Sequence, residues 1–439
     1  MNGVVAAIND GSYKAINDAF ERYWNAARIP AQARASIQRD LARYHHLSSR
    51  LTPLRFCNAG AATVGAATGS ANYAILNNAA TGERDSLHFF IGAQGYVGLH
   101  RIFHGTLPVA AADTVNNVAR AAALRSLTRR LADSGLFSGQ VLLARDGKVL
   151  YHEALGTANR ETGRRVRIDD QFNMASVGKL ITGTAIMKLV EDGAMSLDDT
   201  LGKFLGPSER PARAGAVMIK HILSHTDGMT RGSDTLAFAP GTNFSYVNYG
   251  YYLLGLVIEK VTKQPFASYF ERALFRRAGM TNTRELKVDA PDPSLPVAYT
   301  FEFDSAGARF VSNPQAQTIA ATGAGGLFTT ALDLFRFADA LRTGKLVSFP
   351  SLQTMRAPRK EWGANEYGFG VDWYRGNNIW GHSGYIPGAG ADLEIHGDSG
   401  WVFVIIGNSE ANDIIRRRAG VLIGVQPLCA DVSARANRC

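Results

Sequence analysis

The stretch NMASVGKL, residues 173–180, decides how this chain reads. It places Ser176 three residues before Lys179, at the head of an apolar run that lasts until Gly193. Three residues is nearly one helical turn, so both side chains fall on one face. The run is apolar nearly all round (Leu180, Ile181, Ala185, Ile186, Leu189, Val190), which predicts a buried helix over 176–192 ending at Gly193. A lysine inside such a helix loses hydration, and its amine becomes able to take the serine proton. A serine at a helix N-terminus has unpaired N–H groups and the positive end of the dipole beneath it. The same octet also fits a serine cap followed by a snorkelling lysine. Alone, the pair does not choose between these.

The chain has 439 residues, enough for two or three domains. With 46% hydrophobic and 19% charged residues, a sizeable core is expected and wholesale disorder is not. The net charge is +9, but the basic residues are spread out and the tightest runs, Arg129-Arg130 and Arg416 to Arg418, are short. Without a basic stripe or recognition motif this argues against nucleic acid as a partner. No apolar run reaches the length of a membrane span. The opening MNGVVAAIND lacks a signal peptide's basic segment, so a periplasmic or secreted location requires a signal already removed, the alternative being cytoplasmic. Cys429 and Cys439 are close enough to close a tail loop, leaving Cys57 alone; three reduced thiols fit as well.

Residues 5–47 read as helical, with Ile8, Ile16, Phe20 and Trp24 at helical spacing. Five strand-like runs follow over 51–104: TPLRFCN, ATVGAA, NYAILNN, SLHFFIG and GYVGLHRIF. This predicts a small α+β domain over 1–107 and a linker over 108–125. A second domain is expected over 126–428, with 429–439 as a tail. VLLARDGKVLYHEAL reads as a hairpin about Asp146-Gly147. Helices are expected at 250–262, 266–278 and 330–342, the last with Thr330 and Asp333 in capping spacing. Strands return at 369–374, at 378–381 and in ADLEIHGDSGWVFVIIGN. A hairpin early and strands late predict one antiparallel sheet built from both ends of the domain, an α+β class.

Several familiar chemistries are missing. Gly381-His382-Ser383-Gly384 approaches a G-x-S-x-G elbow, but Tyr385 stands where the second glycine belongs. No phosphate loop and no H-E-x-x-H occurs. His221 and His225, four apart, lack an evident third ligand nearby and read as structural, so no metal is expected. Two groups add to Ser176 and Lys179. Tyr246-Val247-Asn248, just before a helix, supplies a phenol for proton transfer and an amide able to orient Lys179 and a substrate carbonyl. The triplet is cheap, since Tyr23-Trp24-Asn25 repeats it ahead of the serine. His382-Ser383-Gly384 follows the strand-like NIWG; small residues there let substrate backbone approach, and the Tyr385 N–H and the Ser176 N–H then form an oxyanion hole. Arg342-Thr343-Gly344 competes but fits a helix end.

The order Ser-x-x-Lys, Tyr-x-Asn, His-x-Gly resembles the penicillin-recognising serine hydrolases: class C β-lactamases, D,D-carboxypeptidases, D-aminopeptidases and type VIII esterases. The resemblance covers about 130–428 and includes DGKVLYHEALGTAN, DGAMSLDDTLGKFL, HILSHTDGM, APGTNFSYVNYGYYLLGLVIEKVT, RRAGMTNT, GAGGLFTTALDLFRFA and WGHSGYIPGAGADLEI. It implies a β-lactamase-like fold: an antiparallel sheet flanked by helices, plus a helical lobe, with the site between them. It also implies roles: Ser176 as nucleophile, Lys179 and Tyr246 as the proton-transfer pair, Asn248 as orienter, and His382, Ser383, Gly384 and Tyr385 along the substrate. HILSH becomes a structural block of the family. The third motif of the true β-lactamases begins with lysine, and His382 resembles the D-aminopeptidase and esterase branches. A histidine holds a substrate carboxylate only when protonated. Trp362, Tyr367, Trp373 and Trp380 fit an acyl pocket or the core equally. The N-terminal segment resembles the nuclear-transport-factor/cystatin-like domains that precede some members.

The expectation is therefore a serine hydrolase working through an acyl-enzyme on small carboxylic esters, without metal or cofactor. D-amino-acid peptides or amides come next and β-lactams third. A reading of another class is a penicillin-binding sensor that acylates without turnover, or a scaffold.

Overall fold

The computed structural model describes residues 2–23, the strands between 51 and 103, and 116–408 apart from 288–291, 306 and 375–377, with scattered helical residues at 35–42 and 412–420. These fall into two compact units. The first holds the described residues up to Phe137 and the hairpin Tyr299–Ser312; the second holds Ser138–Ala298 and Asn313–Asn412. A single cut between 107 and 126 is thus not where the units divide.

In the first unit, helices Asn2–Asp10 and Tyr13–Tyr23 bury Ile8 and Ile16 completely. Trp24 lies outside the described residues. Four strands then pair as an antiparallel meander: β1 (Leu51–Val64), β2 (Ala67–Asn78), β3 (Glu83–Gly92) and β4 (Val97–Phe103). Five runs were expected; TPLRFCN and the first three residues of ATVGAA lie in one strand, β1, and Ala67 opens β2. The register of β1 shifts at Pro53/Arg55 and Asn58/Gly60. Such bulges let an edge strand absorb a proline without ending. The linker expected over 108–125 is helical from Asn117, in the helix Asn117–Asp133. Asn116 caps it, its Oδ1 accepting from the Ala119 N–H at 2.9 Å, and an alanine-rich sequence sustains it. The tail 429–439, with Cys429 and Cys439, lies outside the described residues.

The second unit is organised by a six-stranded antiparallel sheet. Its strands are β5 (Gly139–Arg145), β6 (Lys148–Leu155), β7 (Asp372–Trp373), β8 (Ile379–Ile386), β9 (Ala389–His396) and β10 (Trp401–Gly407). The spatial order is β7-β8-β9-β10-β5-β6, so the two ends of the unit meet between β10 and β5. Asp146 and Gly147 both take positive φ, 50° and 79°, the turn that suits a two-residue hairpin. The Asp146 N–H donates to Gly400 O at 2.9 Å, joining the neighbouring hairpin tips. The strand expected at 369–374 shrinks to β7. The N–H groups of Phe369 and Gly370 go to Met355 O and Leu223 O instead, at 2.7 and 3.1 Å.

The helix Ala331–Arg342 packs on β5, β9 and β10. Thr330 Oγ1 accepts from the Asp333 N–H at 3.2 Å, as the capping spacing predicts. The buried Asp333 carboxylate then takes bonds from Asn282 N–H (2.6 Å), Thr283 Oγ1 (2.9 Å) and Arg336 (3.1 Å). The buried helix Gly178–Glu191 follows a 3-10 turn at Ala175–Val177 and packs with the helices Asn248–Thr262 and Phe349–Arg356. Among the described residues no helix is long and apolar enough to cross a membrane.

Removing the Thr330 cap by Thr330→Ala is expected to cost about 1 kcal/mol in urea unfolding. Asp333→Ala, which strands several part-buried donors, is expected to cost more, and equal losses would mean that the carboxylate hub contributes nothing beyond the cap.

Candidate active site

Ser176 sits in the middle of the 3-10 turn, where backbone N–H groups lack helical acceptors. The turn is held tightly. Ala175 takes φ +47°, a left-handed backbone that an alanine adopts only under constraint. Its N–H donates to Asn173 Oδ1 at 2.8 Å, and the Met174 N–H donates to Leu327 O at 2.9 Å. Two glycines admit neighbouring chain against it. At Gly325 (φ +137°) a Cβ would stand 1.9 Å from Ala175 O. At Gly384, on β8, a Cβ would stand 2.6 Å from both Met174 O and Ser176 N. Only glycine lets β8 pass this close to the Ser176 backbone.

One turn further on, Lys179 is completely buried. Its Nζ lies 3.0 Å from Ser176 Oγ, 2.7 Å from Asn248 Oδ1 and 3.0 Å from Ala324 O. Burial lowers its pKa from the ordinary lysine value to about 7. The uncharged amine has two hydrogens and one lone pair. It can donate to the amide and carbonyl oxygens while accepting from the serine hydroxyl. Snorkelling is ruled out, because the amine ends inside the protein.

Tyr246 stands beside the pair: Lys179 Nζ lies 4.9 Å from its ring centre. The residue is open on its outer side, but burial of the hydroxyl pushes its pKa up to about 12. At neutral pH it is therefore a phenol, able to donate but not to abstract. Of the two groups expected to share the proton work, the amine is the one with an available lone pair.

A cleft of about 1010 Å³ opens beside the serine. Ser176, Asn248, Tyr249, Tyr252, Ile319 and Tyr385 are among its lining. His382, expected along the substrate, is not among them. It is buried on β8. Its Nδ1 lies 2.6 Å from Ser383 O, so that nitrogen carries the proton, and its Nε2 accepts from the Tyr367 hydroxyl at 2.9 Å. Burial, and next the Lys179 charge, lower its pKa to about 3. The imidazole stays neutral and never presents a cation to a carboxylate. Ser383 and Gly384 are half-buried on the same strand. The four aromatics left open between acyl pocket and core all lie away from the cleft. Trp380 and Tyr367 are buried, and Trp362 and Trp373 pack on the core.

The family model described as Beta-lactamase matches residues 124–424. The chain belongs to that family. It is similar to penicillin-binding protein 4* of Bacillus subtilis (strain 168), 26% identical over 326 residues, 65% of this chain and 71% of that one. It is 30% identical over 187 residues to esterase EstB of Burkholderia gladioli, 34% of this chain and 47% of the esterase. A solved penicillin binding protein from Bacillus halodurans superposes with a TM-score of 0.59 at 26% identity, covering 67% of this chain and 97% of that one. The family resemblance read from the motifs is thereby established, and the chain is a serine hydrolase of the β-lactamase fold.

Sequence reasoning missed three contributors. Ala324 acts through a backbone carbonyl, which leaves no mark in a sequence. Tyr367 holds His382, and His225 lies fully buried against Tyr246. Tyr367 was read as acyl pocket or core without a choice between them, and His225 as structural. His221 and His225 do not share a helix face, since the helix Ile219–Leu223 ends between them and His225 takes φ +57°.

Gly384→Ala is expected to push β8 off the Ser176 turn. Labelling of Ser176 by a fluorophosphonate should slow at least roughly tenfold, with cooperative thermal unfolding kept. An unchanged labelling rate would show that the strand can step back without cost.

Proposed function

We propose that this serine hydrolase cleaves carboxylic esters through an acyl-enzyme on Ser176, with Lys179 as general base. The observation that carries the reading is the Lys179 amine, buried, 3.0 Å from Ser176 Oγ and lowered to about 7. In acylation the amine takes the Oγ proton as Oγ attacks the ester carbonyl. The N–H groups of Ser176 and Tyr385 receive the oxyanion. As the carbonyl re-forms, the bond to the alkoxide breaks and Tyr246 gives that alkoxide its proton. The Lys179 ammonium restores the phenol. The net transfer is one proton from serine to alcohol. Water then attacks the acyl-enzyme, loses a proton to the same pair, and Oγ leaves as hydroxyl with the free acid. Asn248 orients the amine through Oδ1. No cofactor enters these steps.

Esters are favoured over β-lactams and carboxylate-bearing peptides by His382. Its ring is neutral, buried and bonded to Tyr367 and Ser383, so it supplies no charge to a substrate carboxylate. The likeness to esterase EstB supports the same choice.

The test is a panel of short p-nitrophenyl esters, a chromogenic cephalosporin and D-alanyl peptides. Esters should be turned over fastest. Ser176→Ala should lose at least roughly 10³-fold, together with the fluorophosphonate adduct. Full activity in that variant would end the mechanism, and a lasting adduct without turnover would favour the sensor. A base must be unprotonated, and the Lys179 pKa is lowered, so activity is present above that pKa and lost as pH falls through it. The kcat/KM of the ester should rise with pH through an apparent pKa of about 7. A limb near the ordinary lysine value instead would remove Lys179 from the role of base.

A further inference from the structure

We infer that His225 is a positioning residue, whose Nδ1 and ring fix Tyr246 and the start of the Asn248 helix against Ser176. This rests on the ester-hydrolase reading above. His225 follows the helix Ile219–Leu223 with φ +57°, a left-handed backbone in which histidine is tolerated better than most side chains. From there one residue grips the segment carrying Tyr246 at two points. Its carbonyl accepts the Ser245 N–H at 2.9 Å, and its Nδ1 accepts the Val247 N–H at 3.3 Å. Val247 is the N-cap of the Asn248–Thr262 helix and makes no side-chain capping bond of its own. The imidazole therefore satisfies, from outside, a backbone donor lying between the two site residues Tyr246 and Asn248.

The ring faces add a third hold. The centres of the His225 and Tyr246 rings are 4.3 Å apart, with Tyr367 at 4.8 Å and Tyr251 at 5.0 Å on the remaining sides. His225 is completely buried, and its Nε2 meets no hydrogen-bond partner. Because Nδ1 must keep its lone pair for Val247, the proton resides on Nε2. Burial foremost keeps the ring neutral, so no cation competes with the amine beside it. A residue kept only to fill space would need neither the strained backbone nor an acceptor aimed at Val247. His225 is closed off from solvent, so its loss should disturb the phenol's geometry and leave substrate binding alone.

The experiment compares His225→Gly with His225→Asn. Both residues accept a left-handed backbone, but only asparagine offers an oxygen at the reach of Nδ1. For p-nitrophenyl ester hydrolysis, the Gly variant should lose roughly 10²-fold in kcat, the scale of a misplacement of about 1 Å. KM should stay within about threefold, and the Asn variant should recover roughly tenfold of the loss. Equal kcat in the two variants, or a loss carried by KM, would overturn the proposal. A second measurement needs no variant. In the 15N-histidine spectrum of the wild type, His225 should be the neutral Nε2–H tautomer wherever the protein is folded, and an Nδ1–H tautomer would overturn the bond to Val247. A wild type that neither takes a fluorophosphonate on Ser176 nor turns over esters would remove the ester-hydrolase reading instead, and with it any rate effect, while the tautomer still decides the bond.

Discussion

The buried Lys179 amine is the group around which the second unit is arranged. A polar nitrogen in the core is costly unless its hydrogen-bonding capacity is met. Here it is met by three oxygens from three separate parts of the chain, one of them 69 and another 145 residues from the lysine. Each partner is pinned in turn. Thr182 Oγ1, one turn along the same helix, donates to Gly323 O at 2.7 Å, and Thr322 and Gly325 close the loop with mutual backbone bonds of 2.8 and 3.0 Å. The loop that delivers Ala324 O is thus tied to the helix that carries the amine.

Close passage is the second constraint. The turn that carries Ser176 is crowded by Gly325 on one approach and by Gly384 on another, and Ala175 holds a left-handed backbone between them. Strain of this kind persists only where the surroundings over-determine it. The Asn173 and Leu327 bonds to the turn supply that determination. The serine stands on a rigid mount rather than on a mobile loop, which suits a reaction sensitive to small displacements.

Beneath the site lies a layer of rings in which two histidines and Tyr367 are all kept uncharged. Burial is the leading cause for each. Neutral rings pack against Tyr246 without adding charge beside a lysine whose own pKa burial has lowered. The opposing demands explain the composition: aromatic bulk to exclude water, and a few nitrogens and hydroxyls placed where each can bond a neighbour.

The alternation and turn chemistry of VLLARDGKVLYHEAL foretold a hairpin, and Thr330 with Asp333 foretold a cap, because these are local rules and the local sequence obeys them. Ser176, Lys179, Tyr246 and Asn248 were legible for a related reason: their spacing and chain order carry the family's chemistry. The strand expected at 369–374 was lost to long-range backbone bonds, and the chain from 117 was helical because Asn116 caps it. The place of His382 was decided otherwise. A histidine on a strand ahead of serine and glycine reads the same whether it faces substrate or core, and only packing against Tyr367 turned it inward. The sequence by itself determined which groups the proposed chemistry uses. Tertiary structure alone decided their protonation, because a pKa is set by burial and by oxygens that arrive from distant parts of the chain.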